Sequence, residues 1–178
     1  MKIAIFCSAN SNISTIYFDR TIELGKYMAE NGHELVYGGC NMGLMECIAK
    51  CVKENGGHTI GVIPSKIEEC GKISDYVDEH IFVHNLSERK DVMLDRADII
   101  IALPGGIGTL DEVFTVAAAA TIGYHQKKVI LYNIGGFWDK LHATLLQMET
   151  DGFIRGKMND YILFASNLND IKRVLEQQ

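Results

Sequence analysis

The 178-residue chain has little proline, no long hydrophobic run and no excess of positive charge. With only two prolines and no Ser- or Gly-rich tract, it has no evident linker, so we expect residues 1–178 to form one domain. No stretch approaches the roughly 20 apolar residues needed to cross a bilayer. The opening segment also lacks the apolar core of a signal peptide. We therefore expect a cytoplasmic protein with no membrane partner.

The formal net charge of −6 arises from 17 Lys and Arg against 23 Asp and Glu. An acidic chain is poorly suited to nonspecific contact with nucleic-acid phosphates, so we expect no nucleic-acid partner. The cysteines are odd in number and form no C-x-x-C pair, which favours neither a disulfide framework nor a zinc site. We expect these residues to be reduced and to bind no metal: Cys7, Cys40, Cys47, Cys51 and Cys70.

Short apolar runs alternate with amphipathic stretches along the chain. The apolar runs are typical of strands buried on both faces, and they cover residues 3–6, 34–38, 59–63, 80–84, 98–103 and 128–133. The stretches between them predict helices over residues 19–30, 43–54, 88–97, 110–121, 138–150 and 169–176. This alternation predicts an α/β fold, a doubly wound (Rossmann-like) mostly parallel sheet with helices on both faces. Residues 65–78 show no clear period and are expected to form a long, functional loop.

The turns that follow the strands contain the candidate site residues, because ligands of a doubly wound sheet bind outside the carboxyl ends of its strands. Three turns stand out, namely residues 7–10 (CSAN), 38–43 (GGCNMG) and 104–109 (PGGIGT). In the last turn, glycines between a buried strand and a helix let backbone N–H groups approach a phosphate closely. The alternative is a purely structural turn in which Thr109 and Glu112 form a capping box.

Other patterns limit the class of nucleotide site. Neither glycine-rich turn reads G-x-G-x-x-G, and no glycine-rich turn follows the first strand. Both observations disfavour a dinucleotide dehydrogenase. The P-loop pattern is also absent. Arg89 and Lys90 follow Ser87, a candidate N-cap, and cations there oppose the helix dipole. An anionic ligand would relieve this conflict. An exposed pair balanced by Glu88 and Asp91 would need no ligand.

Two motifs together, LSERKDVM (residues 86–93) and PGGIGTLDE (residues 104–112), resemble the signature of the cytokinin-activating phosphoribohydrolases. This "Lonely Guy" family was long mislabelled as lysine decarboxylases. Arg89 and Pro104 lie fifteen positions apart, as that family's spacing requires, and YGGCNMGLMECIA (residues 37–49) is similar to a third family motif. The likeness runs from residue 2 to about residue 146. The chain departs from the family pattern at Cys40, Glu46, Leu86, Ser87 and Ala118.

The resemblance implies hydrolysis of the N-glycosidic bond of a nucleoside 5′-monophosphate, either AMP or a cytokinin riboside 5′-monophosphate, with no cofactor or metal. Glu112 is then the catalytic carboxylate, which stabilises an oxocarbenium-like transition state and takes a proton from the attacking water. Arg89 would hold phosphate or a ribose hydroxyl in a fixed orientation. The other candidate contacts to substrate are Ser8, Asn10, Gly39, Met42, Glu69, Lys90, Gly105, Gly106, Ile107, Gly108 and Thr109.

An alternative function for the same fold is a non-catalytic carrier of a nucleotide or cofactor. Glu112 and Arg89 together favour the enzyme, because a carrier needs the glycines but has no evident use for the carboxylate. The predicted helix 110–121 is apolar nearly all round, so either neighbouring helices or a second subunit must cover it. The resemblance favours a homodimer formed through this region, and Ala118 replaces a threonine that contacts substrate in plant members.

Overall fold

The computed structural model describes residues 1–177, which form one parallel sheet with helices on both faces. The predicted single domain extends to residue 178, which lies outside the described residues. The strands are β1 (Lys2–Phe6), β2 (Glu34–Tyr37), β3 (Thr59–Pro64), β4 (Glu79–Val83), β5 (Ile99–Ala102), β6 (Val129–Tyr132) and β7 (Ile162–Ala165). The helices are α1 (Thr15–Glu30), α2 (Gly43–Glu54), α3 (Ser65–Glu69), α4 (Leu86–Arg96), α5 (Ile107–Thr121), α6 (Asp139–Thr150) and α7 (Leu168–Leu175).

The strands lie in the order β4-β3-β2-β1-β5-β6-β7, and every neighbouring pair is parallel. The chain adds strands outward from β1 to β4 on one side and then from β5 to β7 on the other. The order therefore reverses between β1 and β5, where the connections that leave these two strands diverge. A crevice forms at such a reversal, at the carboxyl ends of the strands.

The core consists of two layers, one on each face of the sheet. Alternate residues of β1 belong to opposite layers: Ile3 and Ile5 pack with α1, α2 and α7, whereas Ala4 and Phe6 pack with α4, α5 and α6. Strands covered on both faces need apolar residues at every position. This is why the central strands read as continuous apolar runs in the sequence.

The structure confirms the predicted fold class. Among the predicted elements, the helices 88–97 and 110–121 begin earlier, at Leu86 and Ile107, and three further differences are larger. The strand β7 was missed, since its four-residue apolar run ILFA has no periodicity of its own. The predicted loop 65–78 contains the short helix α3 and is tied to the turn after β2 by an antiparallel bridge between Cys40 and Ile73. Finally, α1 begins at Thr15 rather than at residue 19. Within residues 1–177, no helix has the length and apolar character required to cross a membrane.

Candidate functional site

A cavity of about 190 Å³ opens at the reversal point between β1 and β5. It lies between the turn after β1, the first turns of α2 and α5, and the first half of α4. The backbone N–H of Ser8 donates to the carbonyl of Pro104 at 3.3 Å, which joins the two turns that diverge there. The residues that line the cavity are Cys7, Ser8, Ala9, Met45, Arg89, Gly106, Gly108, Thr109 and Glu112.

The N-terminus of α2 is closed by the protein's own chain. The N–H of Gly43 donates to the Ser11 hydroxyl at 3.2 Å, and the N–H of Leu44 donates to the Ser8 carbonyl at 2.9 Å. A Cβ atom on Gly43 would lie only 2.5 Å from the carbonyl carbon of Ala9, so only glycine permits this close contact. The turn after β2 therefore offers few free donors to an anion.

The N-terminus of α5, by contrast, is open. Gly106 is the N-cap and supplies no side chain, and within residues 1–177 no acceptor takes the N–H groups of Ile107, Gly108 and Thr109. Free amides and the positive end of a helix dipole together favour an anion at this position. The capping-box alternative for Thr109 and Glu112 is wrong, because Thr109 lies three residues inside the helix that Gly106 caps.

The conformation of this turn depends on Gly105. A Cβ atom at Gly105 would lie 2.0 Å from the hydroxyl oxygen of Thr109, whose side chain is buried at the floor of the cavity. Any larger residue would push Thr109 out of place. At Gly106 and Gly108, a Cβ atom would meet nothing within 4 Å, since both face the open cavity. These two glycines leave room for a ligand.

A buried ion pair forms one wall of the cavity. Arg89 of α4 donates from Nη2 to Oε1 of Glu112 on α5 at 2.5 Å. Glu112 is 3% exposed and the side chain of Arg89 is 11% exposed. The Nε of Arg89 is buried without a hydrogen-bond partner, so one donor of the guanidinium is unsatisfied. The guanidinium also lies against Gly38 at the end of β2.

Burial raises the pKa of Glu112 from its ordinary value to about 7. Removal from water is the largest cause, and the negative charge of Asp111 adds to it. The positive charges of Arg89 and Lys90 act in the opposite direction, as does the hydrogen bond from Arg89. Burial likewise raises the pKa of the Cys7 thiol, and Glu112 adds to that effect. The cavity thus contains a carboxyl group poised near neutral pH, which is a frequent property of catalytic acids and bases.

A second ion pair lies next to the first. The Nζ of Lys90 contacts both carboxylate oxygens of Asp111, at 2.9 and 2.8 Å. Both residues belong to the same two helices as Arg89 and Glu112. The helix α4 is capped by Asn85, whose side chain accepts from the N–H groups of Ser87 and Glu88, and not by Ser87 as predicted.

The structure brings six of the predicted site residues together around the cavity: Ser8, Arg89, Gly106, Gly108, Thr109 and Glu112. The other predicted contacts lie outside its lining. Glu69 is exposed on α3 and pairs with Lys66 at 3.6 Å, and Asn10 is exposed. Gly39 is buried against Ile63. The remaining four lie nearby but behind or beside the lining: Met42, Lys90, Gly105 and Ile107.

Three lining residues were missed by sequence reasoning: Cys7, Ala9 and Met45. Cys7 and Ala9 belong to the turn after β1, which was selected for its position, but their side chains suggested no polar role. Met45 lies in the first turn of α2 and packs into the core. No signal in the residue itself marks it. Within residues 1–177, no group of three or more His, Cys, Asp or Glu side chains is arranged to hold a metal ion.

Comparison with known proteins gives a consistent family assignment. The family described as "possible lysine decarboxylase" matches residues 45–175. A probable cytokinin riboside 5′-monophosphate phosphoribohydrolase of Oryza sativa is 38% identical over 176 residues, which are 99% of this chain and 78% of the relative. A cytokinin riboside 5′-monophosphate phosphoribohydrolase of Arabidopsis thaliana is 34% identical over 99% of this chain and 83% of its own length.

Among solved structures, the molybdenum cofactor carrier protein of Chlamydomonas reinhardtii is 25% identical with a TM-score of 0.74. The match covers 99% of this chain and 96% of the carrier. The carrier fold is therefore shared along the whole chain, whereas identity is higher to the plant phosphoribohydrolases. The sequence relatives, the matched family and the ERK and PGGIGT segments on either side of the cavity agree. The chain belongs to the cytokinin riboside 5′-monophosphate phosphoribohydrolase family, which is also described as possible lysine decarboxylases.

Proposed function

We propose that the protein hydrolyses the N-glycosidic bond of a nucleoside 5′-monophosphate, AMP or a cytokinin riboside 5′-monophosphate. The C1′–N bond breaks, the hydroxyl of water bonds to C1′, the remaining proton of that water passes through Glu112 to the departing base, and the products are the free base and ribose 5-phosphate. The observation that carries the proposal is Glu112, a buried carboxyl with a pKa of about 7 placed two turns or less from an open helix N-terminus. The phosphoribohydrolase relatives are named for substrates of this kind, cytokinin riboside 5′-monophosphates.

The open N-terminus of α5 supports the assignment of the phosphate position. The unpaired N–H groups of Gly108 and Thr109 and the Thr109 hydroxyl offer donors on one side of the cavity. Glu112 follows Thr109 by three residues, so the two lie on the same face of α5 about one turn apart. A phosphate at the helix end then places the ribose beside the carboxylate.

Glu112 has two uses in this reaction. Its negative charge stabilises the positive charge that develops at C1′ as the base departs, and the carboxylate takes a proton from the attacking water. Arg89 remains protonated and so cannot act as the acid. Its bond to Glu112 fixes the carboxylate, and the guanidinium lines the cavity, where its positive charge favours a phosphate or ribose oxygen. No step of the proposed reaction requires a metal or cofactor.

A second candidate function is the binding and delivery of a nucleotide-like cofactor without turnover. It is favoured by the fold shared with the Chlamydomonas carrier protein. A carrier would use the open end of α5 and gain nothing from a buried carboxyl with a raised pKa. The two functions differ in their products. A carrier releases its ligand intact, whereas the hydrolase yields base and ribose 5-phosphate.

The proposal includes a homodimer. An apolar groove of about 480 Å³ runs between α5 and α6, lined by residues that include Ala117, Ala118 and Leu145. Phe114, Ile122 and Phe153 expose 39%, 62% and 82% of their surface there. Exposed apolar surface on this scale marks interaction sites. The small Ala side chains of α5 allow the same helix of a second copy to approach closely, and a two-fold axis makes the contact self-complementary.

The location and the excluded partners also remain predictions. We expect the protein in the cytoplasm, in agreement with its unpaired cysteines, and we expect neither nucleic acid nor a membrane as partner because the net charge is −6. Subcellular fractionation and retention on heparin test these expectations. Recovery of the protein with membranes, or salt-dependent retention on heparin, would contradict them.

Product analysis tests the proposed reaction. The protein is incubated with AMP, an N6-isopentenyl-substituted AMP and adenosine, and the products are separated by chromatography. We expect base and ribose 5-phosphate in equal amounts from the monophosphates, and much slower release from adenosine because it lacks the phosphate. Binding of nucleoside monophosphates without base release would reject the hydrolase and favour the carrier.

A further inference from the structure

Two neighbouring ion pairs join α4 to α5 at the cavity. Arg89 and Lys90 are consecutive on α4, and they pair with Glu112 and Asp111, which are consecutive on α5. The inner pair, Arg89–Glu112, lines the cavity. The outer pair, Lys90–Asp111, lies at its rim. Since both pairs span the same two helices, the outer pair restrains the distance that the inner pair requires.

The outer pair differs from the ordinary surface pairs of this protein. The Lys90 side chain is only 14% exposed and contacts both oxygens of Asp111, which is 53% exposed. By comparison, the pair of Arg96 and Glu79, also made by α4, is 43% and 40% exposed and has a single contact of 3.1 Å. A mostly buried lysine with a two-oxygen contact is held in one orientation. Its ammonium group is directed to Asp111 and is not part of the cavity lining.

We propose that Lys90 and Asp111 are positioning residues for the hydrolysis proposed above: they clamp α4 to α5 beside Glu112 and keep the charge around that carboxylate balanced. The inference rests on the proposed function for its reaction, but the contacts themselves are independent of any substrate. It also gives Lys90 a different role from phosphate binding. The ammonium group of Lys90 pairs with Asp111 and not with the ligand.

Four charged or titratable groups face Glu112 from the elements packed around it. Arg89 and Lys90 come from α4, Asp111 from α5, and the Cys7 thiol from the end of β1. Asp111 raises the pKa of Glu112, whereas Lys90 lowers it. Loss of the two partners must therefore have opposite effects. When both charges are lost, the two changes in the pKa of Glu112 should nearly cancel. A clamp that acted only by holding the helices together would not produce this cancellation.

Three variants and two controls test this inference through the pH dependence of kcat/KM for AMP. We expect Asp111→Asn to move the acidic limb of the profile to lower pH by about half a unit, and Lys90→Gln to move it to higher pH by a similar amount. The double variant should return toward the wild-type profile. Asp111→Glu should keep the clamp and the wild-type limb. Glu79→Gln serves as the matched control, because it removes the β4 partner of Arg96 at the far end of α4.

Two results would overturn the inference. One is that the acidic limb of the pH profile moves in the same direction in Asp111→Asn and Lys90→Gln, or does not move in either variant. The other is a rise of KM for AMP of tenfold or more in Lys90→Gln, with an unchanged limb and an unchanged KM for adenosine. That result would assign Lys90 to the phosphate.

A titration without substrate separates this inference from the proposed reaction. The side-chain carboxyl of ¹³C-labelled Glu112 is followed by NMR in the wild type and in both single variants, after thermal unfolding has shown that each is folded. If the two variants displace the Glu112 pKa in opposite directions but the wild-type protein hydrolyses no nucleotide, the electrostatic role is supported and the reaction is rejected. Hydrolysis of AMP with no opposite displacement would reject the inference and leave the reaction standing.

Discussion

The environment of a single residue, Glu112, determines what the site can do. A carboxyl that is 3% exposed would remain protonated at neutral pH if it had no partner, and one beside a free arginine in water would remain ionised. Glu112 lies between these extremes, because burial and Asp111 raise its pKa while Arg89 and Lys90 lower it. A carboxyl with a pKa of about 7 exchanges a proton readily near neutral pH.

The pH dependence of the reaction follows from this pKa. In the proposed reaction Glu112 acts as a carboxylate, so we expect the active fraction to rise as pH increases through about 7 and to fall below it. We expect kcat/KM for AMP to drop about tenfold per pH unit on the acidic side. Adenosine is the control, since it shares Glu112 but has no phosphate that titrates in this range. A flat profile from pH 5 to 8 for both substrates would contradict the role of Glu112.

Arg89 provides a second prediction at this scale. We expect Arg89→Ala to weaken AMP binding by tenfold or more and adenosine binding by much less, because a charge-assisted contact to phosphate is lost. Calorimetric binding of both ligands measures the difference. Arg96→Ala is the matched control, since Arg96 lies on the same helix in an exposed pair with Glu79. Equal losses for AMP and adenosine would show that Arg89 does not contact the phosphate.

At the scale of elements, two glycine-rich turns with similar sequences have different roles. After the turn of residues 38–43, the N-terminus of α2 is closed by Ser8 and Ser11, which follow β1, whereas α5 begins with free amides. The same residue type thus serves close packing at Gly43 and an open ligand surface at Gly108. We therefore expect an anion to bind at α5 rather than at α2.

Gly108→Ala separates stability from binding. Gly108 lies inside α5, and a Cβ atom there would meet nothing within 4 Å. Alanine should therefore raise the free energy of unfolding by about 0.5–1 kcal/mol, since glycine is costly in helices. The added methyl group points toward the cavity, so KM for AMP should rise several-fold. Denaturant unfolding and steady-state kinetics measure the two effects, and unchanged kinetics in a stabilised variant would place the phosphate elsewhere.

Much of the element order follows from the sequence, and its failures have physical causes. Six strands were predicted because burial on both faces leaves continuous apolar runs, as in Ile99–Ala102. The seventh strand is as short as many apolar stretches inside helices, so only its pairing with β6 identifies it. The cap of α4 was misplaced by two residues because Asn85 and Ser87 are both good N-cap residues.

The site was predictable only in part. The turns after β1 and β5 were selected because parallel strands present their carboxyl ends at one edge, and Arg89 and Glu112 do meet there. Closure of α2 by Ser11 and the contact of Lys90 with Asp111 depend on residues 20 or more positions apart. Periodicity and motif spacing contain no information on such contacts. The same limit applies to Glu69, whose loop position gave no indication that it faces solvent.

At the scale of the whole molecule, the apolar groove between α5 and α6 predicts self-association. Ala118 is exposed in this groove, so Ala118→Arg should place a charge in the dimer contact and yield a largely folded monomer of about 19.8 kDa. Gln177→Arg adds the same charge at an exposed position beyond α7 and should remain a dimer. Sedimentation equilibrium at micromolar concentration distinguishes the two. A wild-type monomer that hydrolyses AMP at full rate would refute the dimer.

The proposed hydrolysis requires Glu112 to act in the transition state, and Glu112→Gln removes the charge that this role needs. The variant keeps the size of the side chain and removes the charge, so single-turnover release of adenine from AMP should fall by about a hundredfold or more. The dissociation constant of AMP, measured by calorimetry on the same preparation, should stay within about tenfold of the wild type. Adenine release within a few-fold of the wild-type rate would show that the Glu112 carboxylate does not act in the transition state.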